Sequence, residues 1–378
     1  MTANKAKIVV TGSRGLIGWH CCARLHAKNC AAAFAREDLL FEIVAVDHAS
    51  FDDEDVLENS VRDAHVVIHF AGVNRATDGE ISVGNPAIAQ RLIGACLATG
   101  SQPHIVYANS THADGESVYG RSKKGAAELL REYADNFTDI IFPHIYGECA
   151  VPFYNNVTST LIKQLIDGNK PEINPEGRVN LFYAGDAAQL AIDCYLQKQY
   201  GTIRVDSIAM SVAQLYEKLY EFHKSYEANV FPQFASSLDV NLFNCYRAAT
   251  YPDSWPRTLN LHEDERGRLF EAVKGGGGGQ TFLSTTLPGV TRGDHFHLCK
   301  VERFLVLQGE AIIRIRKVLS DEVWEYKVSG NQPSVVDMPT LHTHSIENVG
   351  DIPLTTLFWT HELFDPNNPD TFQDKVVA

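Results

Sequence analysis

The sequence has no apolar run near the roughly 18 residues that a membrane-spanning helix requires. Its polar start, Met1 to Lys7, lacks the charged and apolar blocks of a secretory leader, so neither insertion nor export is expected. Positive charge is scarce as well: 33 Lys and Arg against 47 Asp and Glu give a formal net charge of -14. That balance disfavours binding to a nucleic-acid backbone or to an anionic membrane. The cysteines (Cys21, Cys22, Cys30, Cys96, Cys149, Cys194, Cys245 and Cys299) are scattered with no C-x-x-C pair. Such scatter suits reduced thiols in a cytoplasm rather than a disulfide frame. The expectation is a soluble cytoplasmic protein whose 378 residues form two domains.

What is present begins with Ile8-Val9-Val10-Thr11-Gly12-Ser13-Arg14-Gly15-Leu16-Ile17-Gly18, a buried first strand running through a glycine-rich turn into a helix. Glycines at this spacing permit a tight turn, let backbone amides approach a pyrophosphate and allow close packing of helix on sheet. The helix N-terminus then offers free N–H groups to the phosphates. A helix through Leu25 is expected next, followed by a second strand at Ala31 to Arg36. A residue ending that strand, roughly 20 positions beyond the glycines, contacts the adenosine ribose. Arg36 fits that place, and with Arg14 it favours a 2′-phosphate and hence NADPH over NADH. The rival is Glu42 to Asp47, whose terminal Asp47 would accept a ribose hydroxyl and mean NAD; its greater distance downstream makes it the third strand. Val66 to Gly72 reads as another buried strand with a small-residue turn at Ala71-Gly72, and His69 within it is taken as a core histidine. A helix from about Pro86 to Ala98 and a strand from His104 to Ala108 continue an alternation that argues for a parallel, doubly wound sheet. The cofactor-binding set is therefore Gly12, Arg14, Gly15, Leu16, Ile17, Gly18, Arg36, Ala71 and Gly72, joined by Tyr119 and Lys123.

Ser110 and Tyr119-Gly120-Arg121-Ser122-Lys123 carry the chemistry. Four residues apart on a helix, Tyr119 and Lys123 share a face. A phenol with a pKa of about 10 is a poor proton-transfer group near neutrality; a neighbouring ammonium is expected to lower it, while Ser110 can bond the same carbonyl oxygen. T-G-x-x-G-x-x-G, a strand-end serine and Y-x-x-x-K together resemble the extended short-chain dehydrogenase/reductase superfamily over about residues 7 to 250. The resemblance implies that Tyr119 protonates a carbonyl oxygen, Lys123 also holds the nicotinamide ribose, Ser110 orients the substrate, and the substrate is a nucleotide-activated sugar. One departure is Ile141-Phe142-Pro143-His144, where that superfamily carries Arg-x-x-Asn. Tyr154-Asn155-Asn156 could reach sugar or phosphate groups or form a plain turn, and Asp186 is expected to cap a helix.

From about Glu227 to Pro256 the periodicity fades, and beyond it short β-like runs separated by turns suggest a sandwich or barrel. Gly275 to Gly279 is read as a flexible turn. Gly289, His295-Phe296-His297, Glu302 and Gly309 form a second constellation. His295 and His297 project to one strand face, and Glu302 can join them only if the chain turns between Leu298 and Val301. His344 is a fourth candidate ligand, with His342 as fallback. Three imidazoles and a carboxylate suit Zn2+, and also Fe, Mn or Ni. These spacings look like the first cupin motif, and Pro339, His344 and Asn348 match the second, with Leu341 in place of its glycine. Hence the expected architecture: residues 1–250 an α/β doubly wound Rossmann domain of the extended short-chain type, and 256–378 an all-β, metal-binding cupin barrel.

Segments across both regions, among them Phe70-Ala-Gly-Val-Asn-Arg75, Asp264-Glu-Arg-Gly267, Thr343-His-Ser-Ile-Glu-Asn348 and Phe364 to Thr371, resemble the CapF-type family of bacterial capsular polysaccharide enzymes. That resemblance implies a bifunctional, homodimeric enzyme acting on a UDP-activated 4-keto-6-deoxy amino sugar on the route to UDP-N-acetyl-L-fucosamine. The cupin would invert carbon 3, and the reductase would then reduce carbon 4 with NADPH. His342, Lys300 and Tyr326 are candidate bases for the inversion. Two other readings compete: a cupin that only binds or dimerises, and a nucleotide sensor without turnover.

Overall fold

The computed structural model describes residues 5–377 and divides into two units, Met1–Thr158 with Asn174–Val212 and Ser159–Ile173 with Ala213–Ala378. In the first unit β1 (Ala6–Thr11) runs through the glycine loop into α1 (Leu16–Phe34). There follow β2 (Phe41–Val46), α2 (His48–Asp52), α3 (Glu54–Val61), β3 (Val66–His69), α4 (Asp78–Thr99), β4 (His104–Ser110), α5 (Val118–Tyr133) and β5 (Phe137–Phe142). The strands pair in parallel in the order β2-β1-β3-β4-β5, with Gly201–Arg204 added beside β5. Alternate strand residues supply the two faces. Val9, Val67 and Tyr107 pack with Leu57, Leu92 and Leu130 on one side. Ile8, Val10 and Ile68 pack with Cys21, Leu25 and Ile192 on the other. A parallel sheet covered on both faces needs such continuous apolar strands, and the Rossmann-like arrangement expected from the sequence is present.

The second strand lies elsewhere than expected. Ala31 to Phe34 continues α1, and the strand beside β1 is Phe41–Val46. Alanine has the highest helix propensity, so Ala31-Ala32-Ala33 extends the helix rather than starting a strand. Likewise α4 starts well before Pro86. Thr77 and Glu80 form a reciprocal capping box, and Pro86 is carried inside the helix. Asp186 sits in the first turn of Ala184–Leu196, whose N-cap is Tyr183 without a side-chain cap bond.

The second unit is mostly β. One five-stranded antiparallel sheet contains Glu302–Gln308 between Ser334–Met338 and Leu354–Thr360; the other contains His342–Asn348 between Glu310–Lys317 and Thr291–Phe296. Among the described residues no strand pairing joins the two sheets, so the expected barrel is not closed. Helices Val212–Glu227 and Ser237–Ala249 pack on these strands, which moves the division from the expected 250–256 to near residue 212. Asn244 Nδ2 donates to Cys299 O at 2.8 Å and Arg247 Nη1 to Met338 O at 2.9 Å. Tyr226 donates to Asp337, which also takes Arg303 through both oxygens at 2.6 and 2.8 Å. Because this pair is buried, its value lies in keeping each charge matched rather than in net stabilisation. Among the described residues no helix is long and apolar enough to cross a membrane.

Candidate functional site

The loop after β1 is closed by Gly15 N–H donating to Gly12 O at 2.8 Å and Ser13 N–H to Val46 O at 3.2 Å. A Cβ on Gly18 would stand 2.2 Å from Gly12 O, so only glycine lets α1 pack this close. Gly15, the N-cap, offers no side-chain bond, and the first turn of α1 holds no acidic residue. The amides of Leu16 and Ile17 are thus left to an anion. The loop fits a dinucleotide pyrophosphate on this ground. At the end of β3, Ala71 N–H donates to Thr11 Oγ1 at 3.2 Å. Gly72 lies so near α5 that a Cβ there would be 3.8 Å from Lys123 Nζ. His69, held at 2.7 Å from Thr11 Oγ1 and fully buried, is a core histidine as expected.

Arg36 leaves the site. It follows the C-terminus of α1, a helix of 19 residues and so about 28 Å long, which carries it to the opposite end of the strands from the glycine loop. The residue that ends β2 beside that loop is Asp47, whose Oδ2 is 2.9 Å from Arg14 Nε. Counting about 20 residues from the glycines misled because α1 runs longer than the count allows.

Ser110 ends β4, its Oγ accepts His112 N–H at 3.2 Å, and its hydroxyl faces the Tyr119 phenol closely enough to lower the phenol's pKa. Tyr119 and Lys123 lie one turn apart on α5. The close approach depends on Gly120, where a Cβ would meet His112 O at 1.9 Å. Lys123 Nζ donates to Ala108 O at 2.6 Å and sits 4.2 Å above the Tyr107 ring. Burial pulls the Lys123 pKa down to about 7, with Asp139 opposing. Against expectation, the Tyr119 pKa is raised: burial outweighs the lowering from Ser110. Asn85 in α4 ties the site together, bonding Val73 N–H and O at 3.0 and 2.9 Å and Ser122 Oγ at 2.9 Å. Sequence reasoning missed Asn85, Tyr107, Asp139 and Gly120; of these only Gly120, inside Y-x-x-x-K, carried a local signal. Tyr154-Asn155-Asn156 forms an anchored turn. Asn155 donates to Asn74 O and Asn156 to Ile145 O, both at 3.0 Å, and Arg75 lies 5.6 Å over the Tyr154 ring.

In the second unit, His295, His297, Glu302 and His344 bring one donor atom each within 4.8 Å of one another. The chain does turn between Leu298 and Val301, and Glu302 opens the next strand. Glu302 Oε2 is 3.2 Å from both His297 Nε2 and His344 Nε2. Burial alone would raise the Glu302 pKa, but His297 and His344 hold it well below the usual range. Burial also drives His295 down to about 2, keeping it neutral. The Nδ1–H of His297 donates to Asp370 O at 2.5 Å and that of His344 to His342 O at 3.2 Å, which directs both Nε2 atoms inward. His344 Nε2 is buried without a hydrogen bond of proper geometry. A three-imidazole, one-carboxylate donor set with an orphaned inward nitrogen fits a divalent transition metal. His342 stands outside this set. Its Nδ1–H donates to Thr340 O at 2.8 Å and its ring stacks on Trp324. Lys300 is spent on Pro369 O at 2.7 Å and Tyr326 on Pro252 O at 3.0 Å. Asp370, to which the sequence assigned no role, accepts the N–H groups of Leu298, Cys299 and Lys300 at 2.8, 3.0 and 2.9 Å and so fixes the turn that delivers Glu302.

Comparison with known proteins follows the same division. Residues 262–372 match the polysaccharide biosynthesis C-terminal domain, and residues 8–203 match the NAD dependent epimerase/dehydratase family. The crystal structure of the capsular polysaccharide assembling protein CapF from Staphylococcus aureus is 30% identical, covers 98% of this chain and 100% of its own, and superposes with a TM-score of 0.60. UDP-2-acetamido-2,6-beta-L-arabino-hexul-4-ose reductase of Pseudomonas aeruginosa is 28% identical over 381 residues, 98% of this chain and 99% of its own. The spore coat polysaccharide biosynthesis protein SpsL of Bacillus subtilis is 25% identical over 124 residues, 30% of this chain and 82% of its own. With its glycine loop and Ser110, Tyr119 and Lys123 inside a match spanning half its length, the chain belongs to the NAD dependent epimerase/dehydratase family.

Proposed function

We propose that the chain reduces carbon 4 of a UDP-2-acetamido-2,6-dideoxy-hexos-4-ulose, on the route to a UDP-N-acetyl-L-fucosamine precursor of capsule or O-antigen polysaccharide. What supports this most is the group of half-buried Ser110 and Tyr119 with buried Lys123 beside the glycine loop, joined to end-to-end similarity with a reductase named for such a sugar. The loop amides and Lys123 would hold a reduced nicotinamide, which when bound would supply the hydride. Burial keeps Tyr119 protonated, the state a proton donor to the carbonyl oxygen must hold. Ser110 shares that oxygen, and Lys123 stabilises the phenolate left behind.

The second unit is proposed to invert carbon 3 of the same keto sugar before reduction. A proton beside the ketone is acidic enough to exchange, and the inversion has no strong direction, so reduction draws it forward. His295, His297, Glu302 and His344 would hold a divalent ion, which would supply Lewis acidity there. The metal's identity separates this from a purely structural role. Four protein donors close a tetrahedral zinc site, whereas a six-coordinate ion keeps two positions open.

The full chain incubated with the keto sugar in deuterated water tests both parts, with elemental analysis identifying the metal. Deuterium entering carbon 3 without nicotinamide supports the inversion; a carbon 4 alcohol formed from nicotinamide with no such exchange assigns the second unit a binding role. No alcohol with either nicotinamide overturns the reductase reading.

A further inference from the structure

We propose that Asp139 is a positioning residue of the reductase site, the buried carboxylate that keeps Lys123 an ammonium. Its role rests on the reductase reading above. The parallel register sets Thr11, His69, Tyr107 and Asp139 side by side across β1, β3, β4 and β5. Neighbouring strands lie about 4.8 Å apart, and α5 covers the last two residues of this row. Lys123 Nζ stands 4.2 Å from the centre of the Tyr107 ring. About two turns further along the same helix, Arg131 Nη2 donates to Asp139 Oδ2 at 3.0 Å. One helix thus brings two cations to the Tyr107–Asp139 pair.

The other titratable groups facing Lys123 carry no charge near neutrality. Burial, and then Lys123 itself, lowers the His69 pKa to about 3, so that ring is neutral. Burial also keeps Tyr107 and Tyr119 protonated. Burial strips Lys123 of water, and the Asp139 charge is what opposes the resulting loss of its proton. An ammonium is the form that can stabilise a phenolate left on Tyr119.

Asp139 is itself surrounded by groups that favour the anion. Besides Arg131, the Asn109 side chain faces it, its Oδ1 being taken by Ser110 N–H at 2.8 Å. Arg204, on the strand beside β5, lies near enough to feel the same charge, although it is paired to Asp114 at 2.7 and 2.9 Å. Lys124 and Glu128, of opposite sign, line the same cavity of about 360 Å³. As packing, the carboxylate is a burden. Burial raises its pKa against these partners, and its Oδ1 is buried without a hydrogen bond of proper geometry. Such an oxygen costs stability, so what the site gains from Asp139 is its charge.

Asp139→Asn keeps the shape and removes the charge. Urea unfolding of the full-length protein across pH, with and without Lys123→Met in each background, tests this. The stability gained by Lys123→Met narrows with pH above the Lys123 pKa, so the onset of narrowing reports that pKa without any turnover. In the Asp139→Asn background the onset should fall by about one pH unit, and the alkaline loss of turnover on the keto sugar should move down with it. An unmoved onset overturns the proposal even if Asp139→Asn is less stable, since a packing role lowers stability at every pH alike. If Asp139→Asn does not fold, Arg131→Met alters a half-exposed side chain instead and removes the bond that favours the Asp139 anion. The acid-side loss of turnover should then move up by about one pH unit, and an unmoved limb overturns the proposal. A wild type without turnover, whose onset still shifts in Asp139→Asn, overturns the reductase reading and leaves the charge pairing standing.

Discussion

Gly120→Ala separates two things that a single methyl group would do to this protein. A Cβ at Gly120 would stand 1.9 Å from His112 O and 2.7 Å from its carbon. Carbon–oxygen contacts settle at about 3.3 Å, so α5 and the turn at Thr111–Asp114 must part by over about 1 Å. The obstructing atoms are backbone, and no rotamer change relieves them. Overpacking of this kind costs about 1–3 kcal/mol. Alanine in a helix returns about 1 kcal/mol, leaving a net loss of about 0–2 kcal/mol. Activity should suffer more, because Tyr119 neighbours the substituted position and a displacement of about 1 Å at a catalytic group costs about 100-fold. Urea unfolding measures the first effect and steady-state nicotinamide oxidation the second. Gly94→Ala on α4 is the control: its Cβ would meet nothing within 4 Å, so a gain of about 0.5–1 kcal/mol with unchanged turnover is expected. A Gly120→Ala protein with wild-type turnover would refute the view that this packing sets the proton donor.

Three further substitutions probe other links. The Lys123 pKa falls from 10.5 to about 7 on burial, so below about pH 7 both folded and unfolded states hold the proton and the burial penalty is fully present. From there to about 10.5 the unfolded chain binds more protons, and this contribution to stability rises with pH. Lys123→Met should therefore be more stable by a few kcal/mol at neutral pH, by a margin that narrows in urea titrations as pH rises, and should lose turnover. Asp370→Ala strips acceptors from three backbone N–H groups; metal affinity measured against a chromophoric chelator should drop about 10–100-fold. Leu341 occupies a left-handed conformation, φ 59, while buried at 1% exposure. Leu341→Gly should relieve about 1 kcal/mol of strain but forfeit about 2–5 kcal/mol of packing, giving a lower melting temperature.

Much of the candidate site was legible because its chemistry is local in sequence. The glycine loop, Tyr119 with Lys123, and His295 with His297 each lie within one turn or two strand residues, so spacing alone fixes their common face. The turn needed to bring in Glu302 followed from parity. What escaped is non-local: Asp370 holds its turn from 70 residues away, and Asn85 links two segments that no pattern connects. The misplaced second strand shows the opposite hazard. A positional count from the glycines placed a strand where Ala31 to Phe34 prolongs a helix, and with it went Arg36 as a ribose contact. Barrel closure was equally out of reach, since strand pairing between distant runs leaves no mark in short alternating segments.

The central claim is that Tyr119 hands a proton to a sugar ketone while nicotinamide delivers hydride. Its most direct test compares wild type with Tyr119→Phe on the UDP-4-keto sugar, following alcohol formation at carbon 4 by NMR alongside nicotinamide oxidation. The wild type should form the alcohol, and the variant should fall about 10²–10⁴-fold while binding the nucleotide with unchanged affinity. Equal rates in the two proteins would contradict the account.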